Sequence, residues 1–321
     1  METANKYTEI FLPTYSEDRS RIERQGGRFV YYTTASTAIQ ILRNAEVWMR
    51  STLVMNDFME VDHGISCVVD AYLNSDAGRA LKKSLEHCFE GVSGEIERQF
   101  DSSALLLKSD TFVTCVSEHL VEEDEYGRLS MWRAYGGAAG LALVIKAGVF
   151  FQEIEGSGIY SSPVLYSRSD GVGEYIFKVA NAIVRESDYV RMQGRDWLKN
   201  SVFHMLRNRA ICTKHMAFKE EREWRVIASP LIDESGGFFD QKIEIVGGVP
   251  QQVLKVRLVD RPEKGWVGFS IKDMIDRILI GPSDHAVVIH RALYEALREI
   301  GIENPEGKIV RTNIPLRSNQ R

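Results

Sequence analysis

No stretch of this sequence is built to cross a bilayer. Its longest unbroken run of apolar and glycine residues, from Gly136 to Ile145, stops at Lys146, well short of the roughly 20 residues a spanning helix needs. The opening, Met1 to Glu9, has no apolar signal core. Cysteine is scarce. Cys67, Cys88, Cys115 and Cys212 lie far apart with no Cys-x-x-Cys pair, which argues against a zinc site or a disulfide framework. They read as small buried hydrophobes in a reducing compartment, so a cytoplasmic address is expected. The phosphate-loop signature Gly-Lys-Ser/Thr is missing from the glycine-rich stretch Gly136 to Gly140. That stretch opens a strand rather than a helix, against a dinucleotide fingerprint, and reads as a tight turn. Ser117 has no Gly-x-Ser-x-Gly elbow around it, so serine-hydrolase chemistry has little support. A formal net charge of −5 gives no general attraction for nucleic acid.

What is present is the composition of a globular protein: 321 residues, 44% hydrophobic and 26% charged, enough to bury a sizeable core. Residues 1–27 read as a polar lead-in, with the charge run Glu17 to Arg24 ahead of Gly26-Gly27. Aromatic and β-branched runs predict strands at 28–33, 47–50, 111–116, 141–145, 224–227, 253–258, 277–280 and 308–312. Helical spacing predicts a short helix over 37–43 with Ser36 as its N-cap, a helical tract over 64–100, and a helix over 284–300. Two long helices over 173–216 read as an insertion packed on the sheet. Strands and helices follow neither a βαβ alternation nor an all-β series. The expected fold is α+β, a mixed and mostly antiparallel sheet core with that helical insertion. A single domain over 28–317 and a tail at 318–321 complete the expected organisation.

Three polar clusters sit beside strands: Tyr31-Tyr32-Thr33 with the later run Asn56 to His63, Ser117-Glu118 with Met131 to Gly137, and Phe218 to Arg225. In the segment Glu221-x-Glu223-x-Arg225, strand alternation puts all three side chains on one face. Two carboxylates and a guanidinium so placed hold one another ionised and can offer one carboxylate to a developing positive charge, as in glycosyl transfer. The plainer alternative, and the one this cluster alone favours, is an ion-paired surface strand worth about 0–1 kcal/mol per contact. Trp224 and Val226 on the other face read as core. Tyr31-Tyr32-Thr33 buries one ring and exposes another for stacking or for ordinary cross-strand packing. The run Asn56-Asp57-x-x-Glu60-x-Asp62-His63 can supply oxygen ligands to a hard cation, but a turn capped by Asn and Asp explains it more simply, and no metal is expected. Basic residues of the helical insertion, Arg185 to Lys219, alternate with acids and read as a solvated face.

The order of Tyr31-Tyr32-Thr33, Asn56-Asp57-x-x-Glu60, Met131-Trp132-x-x-Tyr135-Gly136, Phe218 to Arg225, and Ile314-Pro315-Leu316-Arg317 resembles the bacterial family catalogued as domain of unknown function 2971. The most specific part is Glu-x-Glu-Trp-Arg. The chain is also similar, more distantly, to ADP-ribosyltransferases, and the fold is expected to be of that kind. That resemblance implies NAD as a substrate, with Glu223 on the ribose 2′-hydroxyl, Glu221 positioning the acceptor, and Arg225 keeping Glu223 ionised. Tyr31, Tyr32 and Thr33 from the first strand, Ser117 or Thr114 from the middle strand, and Tyr135 would hold the cofactor. Tyr31 stands where that family would place His or Arg. The implied function is an NAD-consuming transferase or glycohydrolase, in a toxin or phage-defence setting, with a protein or nucleic-acid acceptor and a neutralising partner protein. No membrane partner is expected. Two other readings accompany it: a non-enzymatic binding or regulatory module of a defence system, and a metal-dependent nuclease using Asp57, Glu60 and Asp62.

Overall fold

The chain opens with two helices, α1 (Glu2–Phe11) and α2 (Tyr15–Arg24), in the computed structural model, which describes residues 2–55, 60–152, 156–233 and 237–315. Acids in the first turn of α2 and Arg21 and Arg24 in its last turn suit the helix dipole. The lead-in is polar on one side only, because Ile10, Phe11 and Ile22 are buried. Strand β1 (Arg28–Thr34) runs into α3 (Ala35–Asn44). The cap is the hydroxyl of Thr34, which accepts from the Thr37 N–H at 3.3 Å, and not Ser36. Strand β2 (Glu46–Ser51) follows. The expected helical tract is three helices, α4 (Glu60–Asn74), α5 (Asp76–Cys88) and α6 (Val92–Ser109), because Ser75 caps α5 and Gly91, at φ +77°, precedes α6.

After β3 (Phe112–Glu118) come α7 (Leu129–Tyr135), β4 (Gly140–Lys146), β5 (Ile159–Pro163) and β6 (Leu165–Tyr166). The two expected long helices are again three, α8 (Ser169–Arg185), α9 (Ser187–Gln193) and α10 (Arg195–Ile211), with Gly194 at φ +95° between the last two. Strands β7 (Thr213–Lys214), β8 (Glu223–Ala228), β9 (Phe239–Val246) and β10 (Val249–Arg257) follow, then α11 (Ile271–Met274), β11 (Ile275–Ile280), α12 (Ala286–Glu299) and β12 (Ile309–Arg311). The α+β class with a mixed, mostly antiparallel sheet is what the sequence predicts. In the main sheet β11–β12 is the parallel pair.

One strand organises the rest. One edge of β3 pairs with β8 from Phe112↔Ala228 to Ser117↔Glu223. The other edge is shared: β2 pairs at Arg50↔Val113 and Ser51↔Phe112, whereas β1 pairs at Phe29↔Glu118 and Val30↔Ser117. Between those ends β1 and β2 diverge, and the sheet is forked over Thr114 to Val116. From β1 the sheet continues through β4, β11 and β12, and from β2 through β10 and β9.

Side-chain alternation then assigns the faces. Phe29, Leu141, Leu143, Ile145, Trp224, Ile278 and Ile280 pack against α3 and α12. Val30, Tyr32, Ala142, Val144 and Leu279 pack against Met131 and Trp132 of α7. The helices α8 and α10 do not lie chiefly on the sheet, as the sequence reading has it. They join α1, α4, α5 and α6 in a helical core of their own, built on residues such as Leu81, Leu85, Ile176, Val202 and Leu206. This packing is close: a Cβ on Gly64 of α4 would sit 1.9 Å from the Ala210 carbonyl oxygen of α10. Ile211 and Cys212, at the end of α10, carry that layer onto Val113 and Ile227 of the sheet.

Beneath the fork, on the α3 side, an apolar cavity of about 150 Å³ lies among residues that include Met49, Val116, Leu143, Val256 and Trp266. Among the described residues, no helix is long and apolar enough to cross a membrane.

Candidate functional site

On the opposite face the fork opens into a cleft of about 630 Å³, inside the roughly 300–1,000 Å³ typical of small-molecule sites. Its floor is Val113 to Ser117 of β3. Tyr31 and Tyr32 of β1 stand on one side, and Trp48 and Arg50 of β2 on the other. Helix α7 contributes Met131, Ala134 and Tyr135, and the far end is closed by Lys214, Phe218, Glu221 and Glu223.

The charged end is a buried ion cluster. Lys214 Nζ donates to Glu221 Oε2 at 2.6 Å and to Glu223 Oε2 at 2.9 Å. Arg225 Nε donates to Glu223 Oε1 at 2.8 Å, and Arg225 Nη1 donates to the Ile211 carbonyl. The Glu223 backbone N–H donates to the Tyr166 hydroxyl at 2.7 Å. Arg225 is fully buried, and the side chain of Glu223 is 6% exposed against 18% for Glu221. The two carboxylates therefore differ: Glu223 is saturated by cations, and Glu221 is the one open to the cleft. Tyr135 reaches Glu221 Oε1 from above, at 3.4 Å. Burial, with the Glu221 charge adding to it, holds the Tyr135 phenol protonated well above its ordinary range.

Burial works to raise the Glu223 carboxyl, but the Arg225 and Lys214 charges outweigh it and hold the group well below its usual 4.5. A depressed folded-state value means that the stability this group contributes is present above about pH 4.5 and is lost as the pH falls below it. Wild type is therefore expected to lose unfolding free energy on acidification from pH 5 to pH 3 more steeply than Glu223→Gln, as read by urea denaturation at each pH. Parallel losses in the two proteins would contradict this.

Strand alternation is only part of what assembles this cluster. The strand begins at Glu223, while Glu221 ends a 3-10 turn and Arg222 is left-handed at φ 44°. Lys214, and not the strand face, brings Glu221 to Glu223. Nor is this a surface strand, since β8 lies between β3 and β5. Trp224 is buried and Val226 packs against the core, as expected.

Of the residues singled out from the sequence, Tyr31, Tyr32, Thr114, Ser117, Tyr135, Glu221 and Glu223 line this one cleft. Thr33 and Arg225 do not: Thr33 is buried further along β1, and Arg225 lies behind Glu223. The two adjacent tyrosines do different work. Tyr32 is buried, its ring edge-on to Trp132 at 4.9 Å and its hydroxyl accepting from the Arg128 N–H at 2.8 Å. Tyr31 is half-buried; alternation turns it with Phe29 toward the α3 side, where it packs against that core, and it borders the cleft only through the fork. Tyr32→Phe leaves the buried Arg128 N–H unpaired, and a loss of about 1–3 kcal/mol in unfolding free energy is expected. An unchanged urea midpoint would remove Tyr32 from this bracing role.

Trp48, Arg50, Cys115 and Lys214 line the cleft without standing among the site residues expected from the sequence, and Phe218 joins them from the head of the third cluster. Trp48 and Arg50 carried a signal, since alternation puts both on one face of a strand. Arg50 Nε donates to Gln251 Oε1 at 3.0 Å, and the Trp48 indole donates to Glu46 at 2.7 Å. Lys214 looked like one more cation of a solvated helix, but it sits on β7 and is 5% exposed. Cys115 is not one of the buried hydrophobes that Cys67, Cys88 and Cys212 are, because it lies on the cleft floor.

Asn56 and Asp57, and the side chain of Glu60, lie outside the described residues. Asp62 pairs with Lys108, and His63 Nε2 lies 3.1 Å from the Ser167 carbonyl oxygen. Among the described residues, no group of three or more His, Cys, Asp or Glu side chains is placed to hold a metal ion.

Fold and cleft together define an α+β protein with a ligand-sized site where its sheet divides. Residues 131–226 match the model of the family described as a protein of unknown function, DUF2971, which bears out the family resemblance drawn from the sequence. The matched segment holds Tyr135, Lys214, Phe218, Glu221 and Glu223, and leaves Tyr31, Trp48 and Arg50 outside it. No curated protein and no solved structure matches the chain.

Proposed function

We propose that the cleft binds NAD and breaks the bond between nicotinamide and ribose, as an ADP-ribosyltransferase or an NAD glycohydrolase does. The observation that carries this reading is the convergence of distant stretches on one cavity. Tyr31, Ser117, Tyr135 and Glu221, together with Arg50, surround a space of about 630 Å³. A flat ring stacks on Trp48, with Tyr31 bordering the space through the fork, a pyrophosphate is met by the Arg50 guanidinium, and a ribose hydroxyl donates to a carboxylate.

In the proposed reaction the glycosidic bond breaks, with its electron pair leaving on nicotinamide. The resulting oxocarbenium-like sugar is captured by water or by an acceptor group, which loses its proton. The exposures favour a division of the carboxylate roles different from the one the resemblance implies. Glu221, open to the cleft, is the group that would touch the ribose. Glu223, with its oxygens taken by Lys214 and Arg225, positions Glu221 through their shared lysine. Cytotoxic or phage-defence action is a natural consequence of consuming NAD or modifying a host macromolecule, and a neutralising partner would restrain it.

The test is to incubate the purified protein with NAD, alone and with protein or nucleic-acid acceptors, and to measure free nicotinamide by chromatography. Release is expected. A folded protein that releases none with any acceptor overturns the proposal. One observation favours a second reading, a non-enzymatic binding module: a carboxylate as fully paired as Glu223 is what a structural ion cluster requires. NAD binding without nicotinamide release would select it.

A further inference from the structure

The fork in the sheet has two sides, and the apolar cavity beneath it is a space distinct from the cleft. Tyr31, Thr114 and Val116 line both. On the α3 side the walls come from every layer around the gap: Met49 and Val256 from β2 and β10, Leu143 from β4, and Trp266 from the loop before α11. Trp266 is 2% exposed and stacks on Phe269 at 4.6 Å, 14° from parallel. Its indole N–H has no hydrogen-bond partner among the described residues.

These observations are in tension with ordinary packing. Cores close to a density that leaves few voids larger than a water. The wall is chiefly apolar, and of its polar residues Ser157 and Ser161 already donate to backbone carbonyls, so water, which needs two to four polar partners, is held poorly there. A cavity of about 150 Å³ is large enough for a benzene-sized group. Among the described wall residues Trp266 alone carries a buried donor without an acceptor, and such an N–H is costly.

We propose that this cavity is a second ligand site, which takes the hydrocarbon part of a small neutral molecule of about six carbons, with one acceptor oxygen for the Trp266 N–H. Charge is excluded from the ligand because the described walls offer no ionised partner, and burying an unpaired charge is prohibitive. The inference stands on the cavity alone and does not depend on NAD chemistry in the cleft.

The probes are straight-chain methyl ketones of five to ten carbons, titrated into the full-length protein by calorimetry. Affinity is expected to rise by roughly fourfold per methylene and to level off once the cavity is filled, with a negative heat-capacity change. Val256→Phe, which fills the space from one wall, is expected to abolish binding while its melting temperature holds or rises. Trp266→Phe keeps the wall apolar and removes the donor, so ketone binding should weaken by about threefold to tenfold. No binding of any ketone to the folded wild type overturns the proposal, and so does an affinity that climbs with chain length without levelling off. Val256→Phe that stays folded and binds as wild type does places the ligand elsewhere and overturns it as well. Nicotinamide release, measured in parallel, reports on the cleft independently.

Discussion

Replacing Arg225 with methionine is expected to lower the unfolding free energy by about 3–5 kcal/mol, the loss found when one partner of a buried ion pair is removed. The size follows from what is stranded. Glu223 would keep one cation, Lys214, which it already shares with Glu221. The Ile211 carbonyl would lose its guanidinium donor as well. Methionine fills a similar volume, so a cavity contributes little. The double variant Glu223→Gln with Arg225→Met removes the unpaired charge and should recover a good part of the loss. Chemical denaturation of the four proteins in the cycle measures the coupling. If the single variant stays within about 1 kcal/mol of wild type, the pair is as weak as an exposed salt bridge, and the buried cluster does not hold the site.

Glu221→Gln is expected to slow nicotinamide release by about 10² to 10³, by analogy with the loss of a preorganised charge-stabilising group, while NAD affinity stays near wild type and the melting temperature falls less than in Glu223→Gln, because Lys214 keeps Glu223 as a partner. Glutamine keeps the shape and removes the charge that would strengthen its hold on the ribose as positive charge develops. Glu223→Gln should behave differently, losing stability along with rate, because that carboxylate anchors Lys214 and Arg225. The contrast matters more than either number. Equal rates in wild type and Glu221→Gln would remove Glu221 from the chemistry. A rate loss that tracks melting temperature in both variants would reduce the cluster to a structural one.

Much of the framework is legible in the sequence because local rules govern it. The aromatic or β-branched runs at 28–33, 141–145 and 277–280 read as strands, and they lie within Arg28–Thr34, Gly140–Lys146 and Ile275–Ile280. What was missed depends on tertiary pairing. Strand β9, Phe239–Val246, carries charged and polar residues among its apolar ones and is set by its register with β10. The breaks at Ser75 and Gly194 were present as residue types, but their force depends on which helices must turn back on one another. At the site, the candidates from separate clusters do converge. The fork that makes room for them cannot be read from any single strand, since it arises from two strands sharing one edge of β3. Lys214 was hidden for a related reason: nothing local distinguishes it from its basic neighbours until β7 sets it between two carboxylates.

The central claim, that NAD occupies the cleft of the divided sheet, can be tested at a built-in reporter. Cys115 lies on the cleft floor, while Cys67, Cys88 and Cys212 are buried elsewhere and serve as references. The rate of Cys115 alkylation by iodoacetamide, followed by peptide mass spectrometry, should fall about tenfold when NAD is present at ten times its dissociation constant, with the other three cysteines unaffected. A Cys115 rate that does not change at saturating NAD, in a protein whose fold is intact, would put the nucleotide somewhere else and contradict the account.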